Sequence, residues 1–513
     1  MSRTRKFLGG IGFGYANQIL VMAVGLWLTP FLLHRIGQHD FGLWLVGTQL
    51  LGYLTLMDFG VVALLPRATA YATGKAGGIS GALDLPQLVG QTAKLILWQL
   101  PPVIIAATAI WLAIPSEWQA LSTPLGLVLA AFVIAFPLRI FAAVLQGLQD
   151  LAFLGKVTMV GWFVSTLLTI ALVVFGFGLN SLAIGWVVSQ LLTALFCFIR
   201  LRIRFAAVLP VRLPSLPWKE ARTKLTAGFW VSVAQVAQVL VNGTDVLILG
   251  KVLGPLAVVP YVCTGKLAGV LSNQPQLLMQ AAEPALSELK MAESAERIFK
   301  VCSALSQAML ILSGAVVCVV LAVNEGFVHW WVGPNQYGGI LLSVLVLIGM
   351  ALRHWNTTAA YAIFCFGFER RLSFTTLLDG LVTVISAIIF VRFLGPIGAP
   401  MGSIAGVVFV SLPANMSRLS TETNVSGFAL LKALWPWFWR CLLVASAAAF
   451  AAARFAPNGF WSIAIESMTV MSIYLAVMSP LFFREPLGGY VRPRWNSMIG
   501  RINTSLRFRN ADA

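Results

Sequence analysis

Four basic side chains lie within long apolar runs of this sequence, where a charge is expensive to hold. Lys266 is near the middle of one run, Arg353 and His354 are near the middle of another, and Arg139 lies closer to the end of its run. A charged side chain in hydrocarbon costs about 2.5–3.5 kcal/mol on insertion scales, so it usually binds a ligand or pairs with a carboxylate. For Arg139, pairing or snorkelling is favoured, and substrate binding is the alternative. Lys266 and Arg353, with His354 beside it, are candidates for binding an anion.

Two aspartates, Asp58 and Asp379, lie within apolar runs a few turns from one end. One interpretation is that each pairs with Arg139 or with a cation of a loop. The other is that one of them couples transport to a proton or a sodium ion. The sequence favours structural pairing and leaves ion coupling open.

A polar stripe runs along the apolar segment that begins at residue 225. At about 100° per residue its members share one side of a helix, and a polar side in lipid must face inward, as glue between helices or as the wall of a wet cavity. The stripe comprises Ser232, Gln235, Gln238, Asn242 and Asp245. Gln18, with Asn17, would line the equivalent wall of the other half. We therefore consider Gln18, Gln235, Gln238 and Asn242 candidates for hydrogen bonding a polar substrate.

Patterns typical of enzymes and metal sites are missing from the sequence. No nucleophile stands near a candidate base, the four histidines are scattered, and the six cysteines lie in or beside apolar runs without CxxC or Cys-His spacing. Cysteines of that kind are small core residues. We expect no catalysis, no metal and no cofactor.

The composition indicates a membrane protein. Of the 513 residues, 59% are hydrophobic and only 10% are charged, which is more apolar surface than a soluble core can bury. A net charge of +17 would indicate nucleic-acid binding in a soluble protein. Here the basic residues lie between apolar runs and on one side of them, which is the positive-inside pattern.

The apolar runs predict about fourteen transmembrane helices. They cover residues 9–33, 41–65, 92–114, 123–146, 153–177, 180–199, 225–250, 255–282, 299–323, 338–365, 372–394, 397–417, 437–455 and 459–483. With the N-terminus inside, four of the 35 lysines and arginines fall outside, namely Arg35, Lys251, Arg392 and Arg454. This asymmetry predicts that both termini are cytoplasmic.

The glycine ladder Gly398, Gly402 and Gly406 predicts close packing of its helix.

A weak internal repeat divides the runs into two sets. Ile36-Gly37 followed by Trp44 matches Leu253-Gly254 followed by Tyr261 at an offset of 217. The predicted fold is an all-α integral membrane protein with two pseudo-symmetric six-helix lobes. The lobes cover 1–199 and 225–417, the basic linker 200–224, two appended spans 418–483 and a basic tail 484–513. Arginines alternate with apolar residues along the tail, so we expect it to lie on anionic lipids, although it could bind a partner protein.

The opening hairpin carries the most specific motifs. They are Tyr15-x-Asn17, Thr-Pro-Phe-Leu-Leu at 29–33, Ile-Gly followed by Phe-Gly-Leu-Trp, and Asp-Phe-Gly at 58–60 ahead of Pro66-Arg67. This hairpin resembles the opening hairpin of bacterial polysaccharide and O-antigen flippases of the multidrug/oligosaccharidyl-lipid/polysaccharide (MOP) superfamily. The resemblance implies two helical bundles in the bacterial inner membrane, a lipid-linked oligosaccharide as substrate and polysaccharide assembly proteins as partners.

We therefore expect a flippase that moves a polyprenyl-diphosphate-linked oligosaccharide from the inner to the outer leaflet. Lys266 and Arg353 would neutralise the diphosphate, and the amide stripe would bind the sugar. A cation-coupled multidrug exporter of the same superfamily is the main alternative, although basic charges deep in the runs suit an anionic substrate better. A polysaccharide polymerase is a further alternative, but it would need a large outer loop and the longest outer segment covers only about 324–337.

Overall fold

The computed structural model of the chain describes residues 3–75, 83–273, 294–454 and 459–492, with single positions at 275, 276, 278, 279, 282, 286 and 457. Side chains are described from residue 20 onward, apart from 227, 230, 427, 428, 430, 431 and 433. The regular elements in these ranges are all helices, which confirms the predicted all-α membrane fold. Contacts divide the chain into two units, Met1–Val259 and Pro260–Ala513. The lobes predicted from the repeat are defined differently and stay a prediction.

The first unit consists of apolar helices joined by short turns. In hydrocarbon the backbone must satisfy its own hydrogen bonds, which favours continuous helix, and glycines with positive φ such as Gly37 and Gly178 make the turns. The helices are α1 (Arg3–Ile36), α2 (Gln38–Leu54), α3 (Val61–Lys75), α4 (Leu85–Leu112), α5 (Ser122–Ala135), α6 (Arg139–Gly147), α7 (Leu151–Val174), α8 (Leu179–Arg204), α9 (Trp218–Asn242) and α10 (Asp245–Val252).

The run predicted as one straight span at 41–65 is bent in the structure. A 3-10 turn, Thr55–Asp58, separates α2 from α3, and the two helices meet at 52°. Phe59 and Gly60 are left-handed, with φ of 47° and 67°. Gly60 and Gly228 of α9 approach so closely that a Cβ on either would clash with the backbone opposite. The bend, with Asp58 and Phe59 in it, therefore packs against α9.

The second unit is arranged around a long helix that is mostly buried. Tyr474 of the last helix donates a hydrogen bond to the Ile311 carbonyl at 2.7 Å, which ties that helix to the long one. The helices are α11 (Pro255–Leu271, which begins in the first unit), α12 (Ala295–Val332, the long helix), α13 (Ile340–Cys365), α14 (Glu369–Leu394), α15 (Gly398–Gly406), α16 (Leu412–Thr423), α17 (Gly427–Arg454) and α18 (Phe460–Phe482).

The glycine ladder packs α15 against α14. A Cβ at Gly398 would meet the backbone of Phe390 and Val391, and one at Gly402 would meet Ala387. The two helices are therefore antiparallel and nearly touch, as the ladder predicts. A π-helical turn, Val407–Ser411, joins α15 to α16. An inserted turn of this kind often marks a functional site.

Within the described ranges, ten helices are long and apolar enough to cross a membrane, or eleven if the bent α2–α3 pair is one span. The predicted number of fourteen is not confirmed. The span predicted at 9–33 lies within α1 (Arg3–Ile36), and the described part of the span predicted at 255–282 begins with α11 (Pro255–Leu271). Those predicted at 372–394 and 397–417 fall in one helical stretch, Glu369–Thr423, which the turn Gly395–Ile397 folds back on itself.

Candidate functional site

Arg353 of α13 and Asp379 of α14 form a two-pronged ion pair. Both Nη atoms donate to the carboxylate at 3.3 Å. The guanidinium also donates from Nε to Ser403 Oγ at 2.8 Å and from Nη2 to the Ser403 carbonyl at 3.1 Å. Thr383 Oγ1 completes the set by donating to Asp379 at 3.1 Å. Oxygen atoms of α14 and α15 thus surround the cation.

This pair explains how Asp379 is kept in an apolar helix. Its residue is 1% exposed, and a buried carboxylate is tolerated only when it is paired and hydrogen-bonded. Glycine is required beside it, since a Cβ at Gly406 would clash with Asp379 and Thr383. Most of the guanidinium donors are occupied, so Arg353 has little free capacity for an anionic ligand in this arrangement.

The first unit holds a second pair with looser geometry. Arg139 Nη2 lies 3.4 Å from the carboxylate of Asp58, which also accepts a hydrogen bond from the Gly60 amide at 2.9 Å. Gln99 donates to the Asp58 carbonyl at 3.2 Å. Among the described residues, Arg139 Nη1 and Gln99 Oε1 have no hydrogen-bond partner although both are buried. This pair is thus less saturated than that of Arg353.

Lys266 differs from both arginines. It is half-buried on α11, and no hydrogen bond or ion pair joins it to any residue for which side-chain contacts are described. Its neighbours Gly265 and Gly269 face open space, because a Cβ added at either would meet nothing within 4 Å. Unlike Arg139 and Arg353, it is left without a counterion in the described part of the chain.

His354 is enclosed and paired with a hydroxyl. It is 2% exposed, and its Nδ1 lies 2.7 Å from Ser313 Oγ of α12. It follows Arg353 directly in sequence but points to a different helix. His354 therefore links α13 to α12 and does not pair with Arg353.

The amide stripe of α9 divides into a buried and an exposed part. Gln238 and Asn242 are exposed and bonded to each other at 3.0 Å. Ser232 Oγ and Gln235 Oε1 are buried without a hydrogen bond to the described residues. The side chain of Gln18 lies outside the described residues, as does the predicted amphipathic tail beyond residue 492.

Sequence analysis missed a group of buried amides in the second unit. Asn324 of α12 is 1% exposed, and it donates to the Thr264 carbonyl at 3.0 Å and to Ser343 Oγ at 2.9 Å. Asn356 donates to Ser411 in the π-helical turn at 3.1 Å and accepts from Asn415 at 2.9 Å. Weighing amides as well as ionisable groups within apolar runs would have found them.

An apolar cavity of about 820 Å³ opens in the second unit. It lies among α12, α13 and α17, and Lys432 stands among otherwise largely apolar and aromatic lining residues. The lining is Leu310, Ile348, Ala351, Leu352, Trp355, Lys432, Leu434, Trp435, Trp437 and Phe438. Its volume and apolar lining suit a hydrocarbon chain.

A family model described as "Polysaccharide biosynthesis protein" matches residues 92–333. No curated protein sequence matches the chain. Among solved structures, the chain is similar to the lipid II flippase MurJ in an inward closed conformation, with a TM-score of 0.65 and 13% identity over 93% of this chain and 99% of that one. It is also similar to an inward-facing multidrug resistance MATE family transporter of the MOP superfamily, with a TM-score of 0.59 and 17% identity over 80% and 96%.

These comparisons agree on one architecture. The chain has the helical fold shared by MATE transporters and the lipid II flippase. The resemblance to this superfamily, predicted from the opening hairpin, is confirmed. The fold and the family model together support a membrane flippase or transporter.

Proposed function

Proceeding from the fold shared with MOP-superfamily transporters, we propose that this chain is a flippase for a polyprenyl-diphosphate-linked oligosaccharide. It moves the polar head from the inner to the outer leaflet of the bacterial cytoplasmic membrane by alternating access of two helical lobes. The family model for polysaccharide biosynthesis supports this proposal, and so does the similarity to a lipid II flippase. The apolar cavity among α12, α13 and α17 has room for part of a lipid tail.

The observation that carries the proposal is that Lys266 has no counterion among the residues that the structure describes. A cation without a counterion in a span is costly, and open space beside Gly265 and Gly269 gives an anion access to its helix. A diphosphate would supply the missing charge. Gln235, Gln238 and Asn242 of α9 are the proposed hydrogen-bonding groups for the sugar, with Gln18 in the corresponding position of α1.

Arg353 and Arg139 have a different part in this proposal. Each is already paired with a buried aspartate, so each offsets a charge of the protein before it can offset one of the substrate. Asp58 and Asp379 are then structural partners, and transport needs no proton or sodium ion carried by them. His354 supports the helix that bears Arg353.

Cation-coupled export of drugs is the second candidate function, favoured by the similarity to a multidrug resistance MATE family transporter. The two functions require opposite behaviour of Lys266. An unpaired ammonium group repels a cationic drug and attracts a diphosphate. Replacing it should therefore weaken flipping of a lipid diphosphate but leave cation export unchanged or improve it.

The test is flipping of a fluorescent lipid-linked sugar in proteoliposomes. Lys266→Ala should slow flipping about tenfold or more, since hydrogen bonds to charged groups are worth about 1.5–3 kcal/mol, and Lys266→Arg should retain more activity. Lys251→Ala is a matched control, because Lys251 is exposed at the end of α10 and should not matter. Wild-type flipping by Lys266→Ala would remove this residue from the mechanism, and drug export without lipid flipping would favour the second candidate.

A further inference from the structure

The side of α9 that carries Glu220 and Lys224 is hydrogen-bonded to α4. The amide of Gln91 donates to Glu220 at 2.8 Å, and its oxygen accepts a hydrogen bond from Lys224 at 2.6 Å. Lys94 donates to the Pro214 carbonyl at 3.4 Å, just ahead of the helix. These bonds fix the rotation of α9, and therefore fix what its opposite side presents.

The opposite side of α9 lines a cavity of about 570 Å³ together with the bend between α2 and α3. Its lining is Phe59, Trp218, Arg222, Leu225, Thr226 and Phe229. Trp218, Phe229 and Phe59 are 67%, 51% and 41% exposed. The exposed Arg222 side chain has no ion pair or hydrogen bond to another side chain in the described part of the protein.

The backbone at Phe59 is strained, which is a second and independent sign of a site. Its φ of 47° is rare for a bulky residue, and such outliers cluster at binding sites. The Asp58 carboxylate bonded to the Gly60 amide and the close contact of Gly60 with Gly228 hold the strained turn in place. The result is an aromatic ring on the wall opposite Arg222.

We infer that this cavity binds the junction between the diphosphate and the first sugar of the lipid-linked substrate before translocation. The inference rests on the proposed function and adds a site to it. An arginine fork matches phosphate oxygens in pairs. Exposed aromatic rings such as those of Trp218 and Phe59 stack against the apolar C–H faces of a sugar. Phe229 lies about 16 Å farther along α9 than Trp218, in the apolar part of the helix where an isoprenoid chain would begin.

The placement of the cavity at the start of α9 agrees with substrate binding before translocation. The positive-inside pattern places the start of α9 at the cytoplasmic side, where lipid-linked sugars are presented to a flippase. Tryptophan is typical of that interface.

The test measures binding to the full chain in lipid nanodiscs with two probes, farnesyl diphosphate and farnesyl diphosphate carrying one N-acetylhexosamine. Arg222→Ala should weaken binding of both probes at least tenfold, and Arg222→Lys should weaken it less. Trp218→Ala should weaken binding of the sugar-bearing probe alone. Lys219→Ala is the matched control, since Lys219 is an exposed neighbour on α9 that does not line the cavity.

Three outcomes would overturn the inference. Unchanged binding by a folded Arg222→Ala variant would show that Arg222 does not bind the diphosphate. An equal loss of binding in Lys219→Ala would show that only the net positive charge of this surface matters. Displacement of both probes by phosphatidylglycerol at similar concentration would make the cavity an ordinary phospholipid site.

Flipping by the wild-type chain is measured separately. Probe binding without flipping would reject the proposed function and keep the site, whereas flipping with normal binding in Arg222→Ala would do the reverse.

Discussion

Asp58 and Asp379 show how this chain holds charge inside apolar helices. Each is 1% exposed and each lies against an arginine. Breaking a buried pair by removing one partner costs about 3–5 kcal/mol, whereas replacing both partners with apolar residues is often neutral. A structural role of the pair can therefore be separated from a role in transport by comparing single with double substitutions.

The Arg353–Asp379 pair gives the first prediction. Asp379→Asn should destabilise the protein by about 3 kcal/mol, and Arg353→Met combined with Asp379→Leu should recover most of that loss and keep flipping activity. Thermal unfolding in detergent and flipping in proteoliposomes measure the two effects. Arg392→Met, at the exposed end of α14, is the control. A stable double variant that no longer flips lipid would show that Arg353 contacts the substrate.

Asn324 gives the second prediction. Asn324→Leu removes donors to Thr264 and Ser343, and leaving such groups unsatisfied costs about 1–3 kcal/mol. The expected result is a lower unfolding temperature. Asn335→Leu, in the exposed turn between α12 and α13, should leave that temperature nearly unchanged. Equal behaviour of the two variants would contradict the role assigned to Asn324.

At this scale the sequence predicts which charges lie in apolar runs and offers Arg139 as a partner of Asp58, but it does not predict that Asp379 pairs with Arg353. The cost of a charge in hydrocarbon singles out Arg353, Asp379 and Lys266 from their surroundings alone. The bond between Arg353 and Asp379 depends on how α13, α14 and α15 pack, and nothing in the spacing of the two residues predicts it. For the same reason, the lack of a partner for Lys266 among the described residues became visible only in three dimensions.

Among the helices, the bend between α2 and α3 is the feature that the sequence did not predict. The apolar run at 41–65 continues through it, so hydropathy predicts a single straight span. The left-handed turn at Phe59 is held by contacts with Gly228, which is distant in sequence. By contrast, the ladder of Gly398, Gly402 and Gly406 predicts its packing, because small residues repeated at helical spacing indicate close approach.

The bend gives the third prediction. Gly60→Ala and Gly228→Ala should each destabilise the protein by about 1–3 kcal/mol, since each adds a Cβ against backbone and overpacking costs that much. Gly52→Ala is the matched control, because a Cβ there meets nothing within 4 Å and alanine favours helix by about 1 kcal/mol. The measurement is the unfolding temperature, which should fall in Gly60→Ala and Gly228→Ala but not in Gly52→Ala. Stability equal to wild type in Gly228→Ala would show that the contact is not tight.

For the whole molecule, the sequence predicts the fold class and the resemblance to the superfamily's fold, but not the number of spans. Hydropathy alone divides the stretch Glu369–Thr423 correctly into two helices, yet it gives no sign of the bend at Asp58. Contacts also join α9 and α10 to the first unit, whereas the repeat assigns them to the second lobe. Sequence periodicity and spatial contact thus define different halves.

The orientation of the chain gives the fourth prediction. Val211 in the linker is 99% exposed, and charge places it inside, while Asn335 is placed outside. In intact cells, a membrane-impermeant maleimide should label Asn335→Cys but label Val211→Cys only after permeabilisation. Background should be low, because the native cysteines are buried or, for Cys365, partly buried. The opposite pattern of labelling would reverse the predicted topology.

The driving force gives the fifth prediction. A diphosphate with about two negative charges leaving a negative interior gains about 2.3 kcal/mol per charge per 100 mV. Flipping in proteoliposomes should therefore respond to an imposed potential and should not require a proton or sodium gradient. With the potential clamped to zero, flipping that depends on such a gradient and is lost in Asp58→Asn or Asp379→Asn would establish ion coupling instead.

If Lys266 takes part in transport as proposed, its lack of a counterion among the described residues affects how the transport cycle uses the membrane potential. With a protonated Lys266, the loaded protein moves the charge of the diphosphate reduced by one, and the empty protein returns with one positive charge. An interior-negative potential favours both steps, because outward movement of negative charge and inward movement of positive charge do the same electrical work. Lys266→Gln should shift all voltage dependence to the loaded step and leave the return of the empty protein insensitive to potential.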